Sequence, residues 1–144
     1  MKYEGLSQSY ATLLIHAIEA MKHAYVPYSH FQVGAALLDK DGTVHYGCNV
    51  ENAAYSPGNC AERTALFRAI ADGKKAGEFQ ALAVVGDTDG PIAPCGVCRQ
   101  VIVELCSPEM PIIMGNLRGQ WTISTISAIL PGAFTPNDLQ KEES

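Results

Sequence analysis

Three cysteines form the pattern in this chain that is best suited to chemistry. Cys60 opens a segment of helical character, and Cys95 and Cys98 lie three positions apart in the stretch PCGVCRQ, residues 94–100. On the first turn of a helix that spacing places both sulfurs on one face, and a helix N-terminus stabilises thiolates. If the fold brings the three sulfurs together, they hold one metal ion and leave its fourth position open, as in catalytic zinc sites.

Glu62 is the only carboxylate next to these cysteines. It follows Cys60 by two positions, so its side chain points in another direction and need not bind the same ion. We expect it to carry protons for an attacking water molecule. Three thiolates on Zn²⁺ leave a net negative charge, which Arg63 and Arg99 are expected to offset because they flank the ligands.

Each part of the pattern is ambiguous by itself. A lone C-x-x-C also occurs in structural zinc half-sites and in redox pairs, and the tripeptide CAE carries little information. The combination favours a catalytic zinc site, with a non-catalytic zinc-binding module as the alternative from another class. Cys48 and Cys106 lie outside the pattern and are expected to be small buried residues.

Length, charge and cysteine count narrow the functional class. A chain of 144 residues predicts one domain, residues 1–144, ending in a polar tail at 137–144. The net charge of −5 argues against a nucleic-acid partner and favours a small uncharged substrate. No apolar run reaches the roughly 20 residues of a membrane span. The first residues lack the apolar part of a secretory signal, so we expect a cytoplasmic protein whose five cysteines form no disulfides.

Hydrophobic periodicity and turn residues predict the elements that position these side chains. The predicted order is a helix at 7–24, strands at 31–38 and 43–49, a helix at 60–73, a strand at 79–86, a helix at 95–106, strands at 111–114 and 121–124, and a helical turn at 126–130. Asn59 is the expected N-cap of the second helix. This order predicts an α/β fold of α-β-α layers, with a central mixed five-stranded sheet flanked by helices.

The chain resembles the cytidine deaminases, specifically the small homotetrameric class with one zinc ion per chain. The similarity runs from the first helix to Phe134. The matching segments are FQVGAA at 31–36, GCNVEN at 47–52, CAER at 60–63, PCGVCRQ at 94–100 and LPGAF at 130–134. The resemblance implies a cytidine deaminase-like fold and hydrolysis of cytidine and 2′-deoxycytidine to uridine and 2′-deoxyuridine plus ammonia, in pyrimidine salvage.

The resemblance also implies roles for individual residues. Phe31 would stack on the pyrimidine, Asn49 and Glu51 would hold the ribose hydroxyls, Ala61 would offer its backbone to the base, and Arg63 would temper the cysteine charge. During attack on C4 of cytosine, Glu62 would move the water proton to N3 and then deliver a proton to the departing amine. A blasticidin-type nucleoside deaminase is the nearest alternative, but it resembles this chain less at residues 49–52.

A further implication is an active site shared between subunits. In the family, the residue matching Phe134 closes over the base in a neighbouring subunit, and the residue matching Tyr55 also reaches across. The sequence is compatible with this because Pro131 and Gly132 break the preceding helical turn and leave Phe134 with little local support. An exposed phenylalanine there is explained by an interface.

Overall fold

The computed structural model describes residues 3–139, which contain one five-stranded sheet with helices on both faces. The elements in chain order are α1 (Gln8–Met21), β1 (Val33–Asp39), β2 (Val44–Cys48), α2 (Ala61–Ala71), β3 (Phe79–Gly86), α3 (Gly96–Leu105), β4 (Pro111–Asn116), β5 (Trp121–Thr125), α4 (Ile126–Ile129) and a 3₁₀ helix (Pro136–Leu139). The strand order is β2-β1-β3-β4-β5, with β3 and β4 parallel and the other pairs antiparallel. The predicted α/β fold with a mixed five-stranded sheet is confirmed.

The central strands divide the core into two layers. Side chains alternate between the faces of a strand, so Leu82 and Val84 of β3 pack in the layer that contains α2 and α3. Ala83 and Val85 of the same strand pack with α1 on the other face. Burial of both faces explains why β3 reads as a continuous apolar run rather than an alternating one.

Two glycines let helices lie directly on the sheet. A Cβ atom at Gly34 would lie 1.9 Å from the backbone oxygen of Ala17, and one at Gly47 would lie 2.2 Å from the oxygen of Ala61. Real side chains never tolerate such distances, so only glycine fits at either position. Gly47 therefore sets how closely the first turn of α2 approaches strand β2.

Two predicted boundaries differ from the structure at the elements that matter for the site. Strand β1 begins at Val33, so Phe31 lies in the preceding loop rather than in the strand. Helix α2 has Cys60 as its N-cap, and the prediction that Asn59 caps it is wrong. Asn59 instead exchanges two backbone hydrogen bonds with Val50, both 2.9 Å long, which hold it in an extended bridge.

The C-terminal end of the described chain is a single turn of 3₁₀ helix. Residues 137–139 of the predicted polar tail belong to that turn, and 140–144 lie outside the described residues. The helices among residues 3–139 are all too short or too polar to cross a bilayer. That residues 1–144 form one domain stays a prediction.

A buried polar network closes the hairpin end of the sheet. The carboxylate of Asp39 accepts hydrogen bonds from the backbone N–H groups of Asp41 (2.8 Å) and Thr43 (3.1 Å), and lies 2.8 Å from His45 Nε2 and 3.3 Å from Lys74 Nζ. Burial opposes ionisation, but the hydrogen bonds outweigh it and lower the pKa of Asp39 to about 2. His45 and Asp39 belong to adjacent strands, and no local sequence pattern predicts their pairing.

Candidate metal centre and substrate cleft

Two helix N-termini bring the three candidate zinc ligands together. Cys60 is the N-cap of α2, Cys95 is the N-cap of α3, and Cys98 lies on the first turn of α3. The three sulfurs lie within 4.8 Å of one another, and those of Cys60 and Cys95 are 3.7 Å apart. A tetrahedral zinc ion with Zn–S bonds of about 2.3 Å requires sulfurs roughly 3.8 Å apart. The donor set and its spacing therefore fit zinc.

The electrostatics of this cluster favour a thiolate at Cys60. A hydrogen bond with the Cys98 thiol, together with one from Arg63, lowers the pKa of Cys60 to about 5 despite partial burial. Arg63 Nη2 lies 3.3 Å from Cys60 Sγ. Its Nε is buried and has no hydrogen-bond partner among residues 3–139. The guanidinium thus contacts the thiolate directly, as a charge-tempering residue would.

Arg99 makes different contacts from those expected of a charge-offsetting residue. Its Nε donates to the Pro94 carbonyl at 2.8 Å and its Nη1 donates to the Ile129 carbonyl at 2.7 Å. These bonds join the segment before Cys95 to the end of α4. The Arg99 side chain therefore holds the backbone just before Cys95 against the end of α4, a role that sequence spacing alone does not reveal.

Glu62 is the second residue of α2 and is only 4% exposed. Burial, followed by repulsion from the Cys60 thiolate, raises the pKa of Glu62 to about 7. A carboxyl group with such a pKa can both accept and release a proton near neutral pH, which suits general acid–base catalysis. Ala61 immediately precedes it as the first helical residue, a position whose backbone N–H has no partner within the helix.

A cleft of about 490 Å³ opens beside Cys60. Of the residues singled out from the sequence, Asn49, Glu51, Tyr55 and Cys60 line it. The other lining residues are Tyr28, Ser29, Val50, Asn52, Gly58 and Asn59. Its volume suits a small organic ligand.

Asn49 and Glu51 each use only part of their hydrogen-bonding capacity in contacts with the described residues, 3–139. The Asn49 side chain accepts from the Val33 N–H at 2.8 Å and donates to the Phe31 carbonyl at 2.7 Å. One N–H and one lone pair of the amide stay available. Glu51 accepts through Oε1 from two backbone N–H groups, and its other oxygen stays available for a hydroxyl group.

The N–H groups that bind Glu51 belong to Tyr28 and Ser29, both at 3.1 Å. Hydrogen bonding with Ser29 and then with Tyr28 holds the pKa of Glu51 below its usual range. Neither Tyr28 nor Ser29 belongs to a sequence motif that predicts this contact. They lie 23 and 22 positions from Glu51 in the chain, and only the folded loop brings them to it.

Three aromatic side chains singled out from the sequence are exposed. Tyr55 is 83% exposed, Phe134 is 57% exposed and Phe31 is 38% exposed. Tyr55 also has a φ angle of 62°, a left-handed conformation that costs energy for a residue other than glycine. The Phe134 carbonyl accepts a hydrogen bond from the Gln100 side chain at 2.8 Å, which fastens the C-terminal segment to α3.

Comparison with known proteins places the chain in a family. Residues 7–114 match the model of the cytidine and deoxycytidylate deaminase zinc-binding region. The cytidine deaminase of Sporosarcina psychrophila is 55% identical over 127 residues, which cover 88% of this chain and 92% of that protein. The cytidine deaminase of Halalkalibacterium halodurans is 54% identical over 127 residues, covering 88% and 95%.

A solved structure leads to the same family. The crystal structure of cytidine deaminase from Burkholderia pseudomallei superposes with a TM-score of 0.86 at 51% identity, covering 90% of this chain and 100% of that one. By its sequence match, its fold and its three converging cysteines, this chain belongs to the cytidine and deoxycytidylate deaminase family.

Proposed function

We propose that this protein hydrolyses cytidine and 2′-deoxycytidine to uridine and 2′-deoxyuridine, with release of ammonia, at one zinc ion per chain. The observation that carries the proposal is the convergence of Cys60, Cys95 and Cys98 at zinc-ligand spacing in a member of this family. The neighbouring buried Glu62 adds the acid–base group that deamination needs.

Cys60, Cys95 and Cys98 are the proposed zinc ligands. When bound, zinc supplies Lewis acidity and lowers the pKa of a coordinated water molecule to about 7. The two helix N-termini favour negative charge at the thiolates, and the Arg63 guanidinium tempers it through its contact with Cys60.

Glu62 is the proposed proton carrier. Its carboxylate takes one proton from the attacking water and delivers it to N3 of cytosine, then takes the remaining proton from the new hydroxyl group on C4 and delivers it to the departing amine. The reaction then balances, since water adds at C4 and ammonia leaves from the same carbon. A pKa of about 7 lets one carboxyl group perform both transfers without a large energetic penalty.

Substrate binding is assigned to the cleft beside Cys60, together with Phe31 and Ala61, which are not among its lining residues. Phe31 would stack on the pyrimidine, an interaction worth about 1–3 kcal/mol per base. The free amide N–H of Asn49 and the free oxygen of Glu51 would hold ribose hydroxyls, and the Ala61 backbone would bind the base. A carboxylate committed to hydroxyl groups also disfavours a phosphate nearby, so a free nucleoside is the expected substrate rather than a nucleotide or nucleic acid.

A homotetramer with shared active sites accounts for the exposed aromatic residues. Tyr55 and Phe134 would reach the site of a neighbouring subunit, where the 83% exposed side chain of Tyr55 would find a partner. Subunits carrying Glu62→Gln and subunits carrying Phe134→Ala should regain activity when mixed. A monomer, identified by sedimentation, that stays fully active on dilution would contradict the shared site.

The cellular role that we propose is pyrimidine salvage in the cytoplasm.

One assay tests the activity itself. Zinc-loaded protein is incubated with cytidine, 2′-deoxycytidine, cytidine monophosphate or a single-stranded oligonucleotide. Conversion of the cytosine base to uracil is followed by ultraviolet absorption. We expect rapid turnover of both nucleosides, poor turnover of the other two, and loss of activity with a chelator. Absence of nucleoside turnover in protein that contains stoichiometric zinc would refute the proposal.

A further inference from the structure

The loop that carries Phe31 lies outside the regular hydrogen bonding of the sheet. Strand β1 begins only at Val33, and His30 has a φ angle of 57°, in the left-handed region. The Phe31 ring packs over the end of β3, since a Cβ at Gly86 would lie 3.4 Å from its Cζ. The direction of this ring therefore depends on whatever holds the loop.

Side chains, rather than a neighbouring strand, hold the Phe31 backbone. Its N–H donates to Ser29 Oγ at 3.0 Å, and its carbonyl accepts from Asn49 Nδ2 at 2.7 Å. The peptide groups on both sides of Phe31 are thus fixed by one hydroxyl and one amide. Asn49 is already assigned to the sugar, whereas Ser29 has no assigned role.

Ser29 also connects this loop to the candidate sugar-binding carboxylate. Its backbone N–H donates to Glu51 Oε1 at 3.1 Å while its hydroxyl accepts from Phe31. One residue therefore contacts both the carboxylate proposed for ribose and the backbone of the aromatic residue proposed for the base.

We propose that Ser29 is a positioning residue that fixes the Phe31 ring against the pyrimidine and links base stacking to the sugar-binding carboxylate Glu51. This inference rests on the proposed function. Ser29 acts through Phe31 and touches neither the reacting carbon nor the metal ligands. Loss of its hydroxyl should weaken substrate and transition-state binding equally, which raises KM and leaves kcat unchanged.

A double-mutant cycle on the zinc-loaded protein tests this role. The variants are Ser29→Ala, Phe31→Ala and the two combined, assayed with cytidine. Ser29→Ala should raise KM about three- to tenfold, the effect of one ordinary hydrogen bond, with kcat within twofold of wild type. In the Phe31→Ala background the same change should have almost no further effect, because the ring that Ser29 positions is gone.

Two further variants separate positioning from general structural damage. Ser29→Thr keeps the hydroxyl and should restore most of the lost affinity. Ser127→Ala is the matched control, since Ser127 is also an exposed serine whose hydroxyl is hydrogen-bonded, to Thr125 and Glu109. It should leave KM unchanged, and all of these variants should keep stoichiometric zinc.

Each contrary outcome identifies which idea fails. Additive effects of Ser29→Ala and Phe31→Ala overturn the proposal, as does a KM that Ser29→Thr does not restore. A fall in zinc content or in Tm beyond that of Ser127→Ala would assign Ser29 a structural role and also overturn it. Wild-type protein that binds zinc but does not deaminate cytidine refutes the proposed function, and with it this inference. An active wild type with an unchanged Ser29→Ala variant refutes the inference alone.

Discussion

Asp39 and Glu62 are both almost completely excluded from solvent, 0% and 4% exposed, yet their pKa values are shifted in opposite directions. Asp39 lies at the hairpin end of the sheet with a pKa lowered to about 2. Glu62 lies beside the cysteine cluster with a pKa raised to about 7. Burial disfavours the charged form of both groups, so the difference comes from their partners.

The partners of Asp39 are donors and cations, whereas Glu62 lies beside thiols. Backbone N–H groups, His45 and Lys74 surround the Asp39 carboxylate and stabilise its charge. Glu62 has the Cys60 thiolate as a neighbour, which repels it. A fully paired carboxylate stabilises the fold, and an underpaired one is available for proton transfer. The same residue class is therefore a structural anchor at one end of the sheet and, under the proposed function, the proton carrier at the other.

Removing the metal centre should produce the largest effect. Cys95→Ala eliminates one of three thiolates, and we expect loss of bound zinc together with all detectable deamination. Elemental analysis and the ultraviolet assay measure the two quantities on the same sample. Cys48→Ala is the control, because Cys48 is also a free cysteine but lies outside the cluster. Full activity in a zinc-free Cys95→Ala protein would show that the cysteine cluster is not the active centre.

Replacing the underpaired carboxylate should stop the reaction without unfolding the protein. Glu62→Gln keeps the shape of the side chain but removes the proton carrier, so kcat should fall by about 10²–10⁴-fold. Zinc content should be unchanged, and stability should not decrease because an unfavourably buried carboxyl group is lost. Turnover within tenfold of wild type would place the proton carrier elsewhere in the site.

Replacing the paired carboxylate of Asp39 should lower stability and leave activity unchanged. Asp39→Asn should cost about 2 kcal/mol of unfolding free energy, since charge-assisted hydrogen bonds to buried partners are lost, while kcat stays near that of wild type. Urea unfolding measures the first quantity and the cytidine assay the second. If the urea concentration at the midpoint of unfolding were unaltered, the hydrogen-bond network around Asp39 would contribute no net stability.

The stability difference between wild type and Asp39→Asn should also depend on pH in a defined direction. The folded pKa of about 2 lies below the ordinary value of 3.8, so the carboxylate stabilises the fold fully above about pH 4. That contribution is lost as pH falls toward 2. The two proteins should therefore converge in stability over this range, and a constant difference would contradict the assigned shift.

Removing one partner of Asp39 should give the smallest effect. Lys74 is 22% exposed and bridges Asp39 and Asp41, so Lys74→Met should cost roughly 0.5–1 kcal/mol in urea unfolding. His45 and two backbone N–H groups still pair with Asp39 in this variant. Lys75→Met changes the adjacent exposed lysine and serves as control. If Lys74→Met lowered the free energy of unfolding as much as Asp39→Asn does, Lys74 would be the dominant partner of Asp39.

The sequence predicted those features that depend on local patterns. The sequence predicts all five strands and the four α-helices that the structure describes within residues 3–139, because hydrophobic periodicity and turn residues are properties of short segments. The expected convergence of Cys60, Cys95 and Cys98 came from ligand spacing at two helix starts. The roles of Phe31, Asn49, Glu51 and the other assigned residues stay predictions.

Contacts between distant segments were not predictable in this way. The pairing of His45 with Asp39, the bonds from Arg99 to two carbonyls and the bonds of Tyr28 and Ser29 to Glu51 depend on which segments the fold places side by side. Arg99 shows the difference most clearly. Its position beside the cysteines predicts charge compensation, whereas in the structure its side chain donates hydrogen bonds to two backbone carbonyls and holds those segments together.

The sequence by itself determined the chemistry that this chain can offer: three thiols and a carboxyl group, placed on two helix starts by short spacings. The tertiary structure decided how those groups behave. Gly47 lets α2 lie close to β2, and burial raises the pKa of Glu62 on the first turn of that helix. A residue type sets which protons and ligands are possible, but desolvation and neighbouring charges, which only the packed fold supplies, set when a proton is held or released.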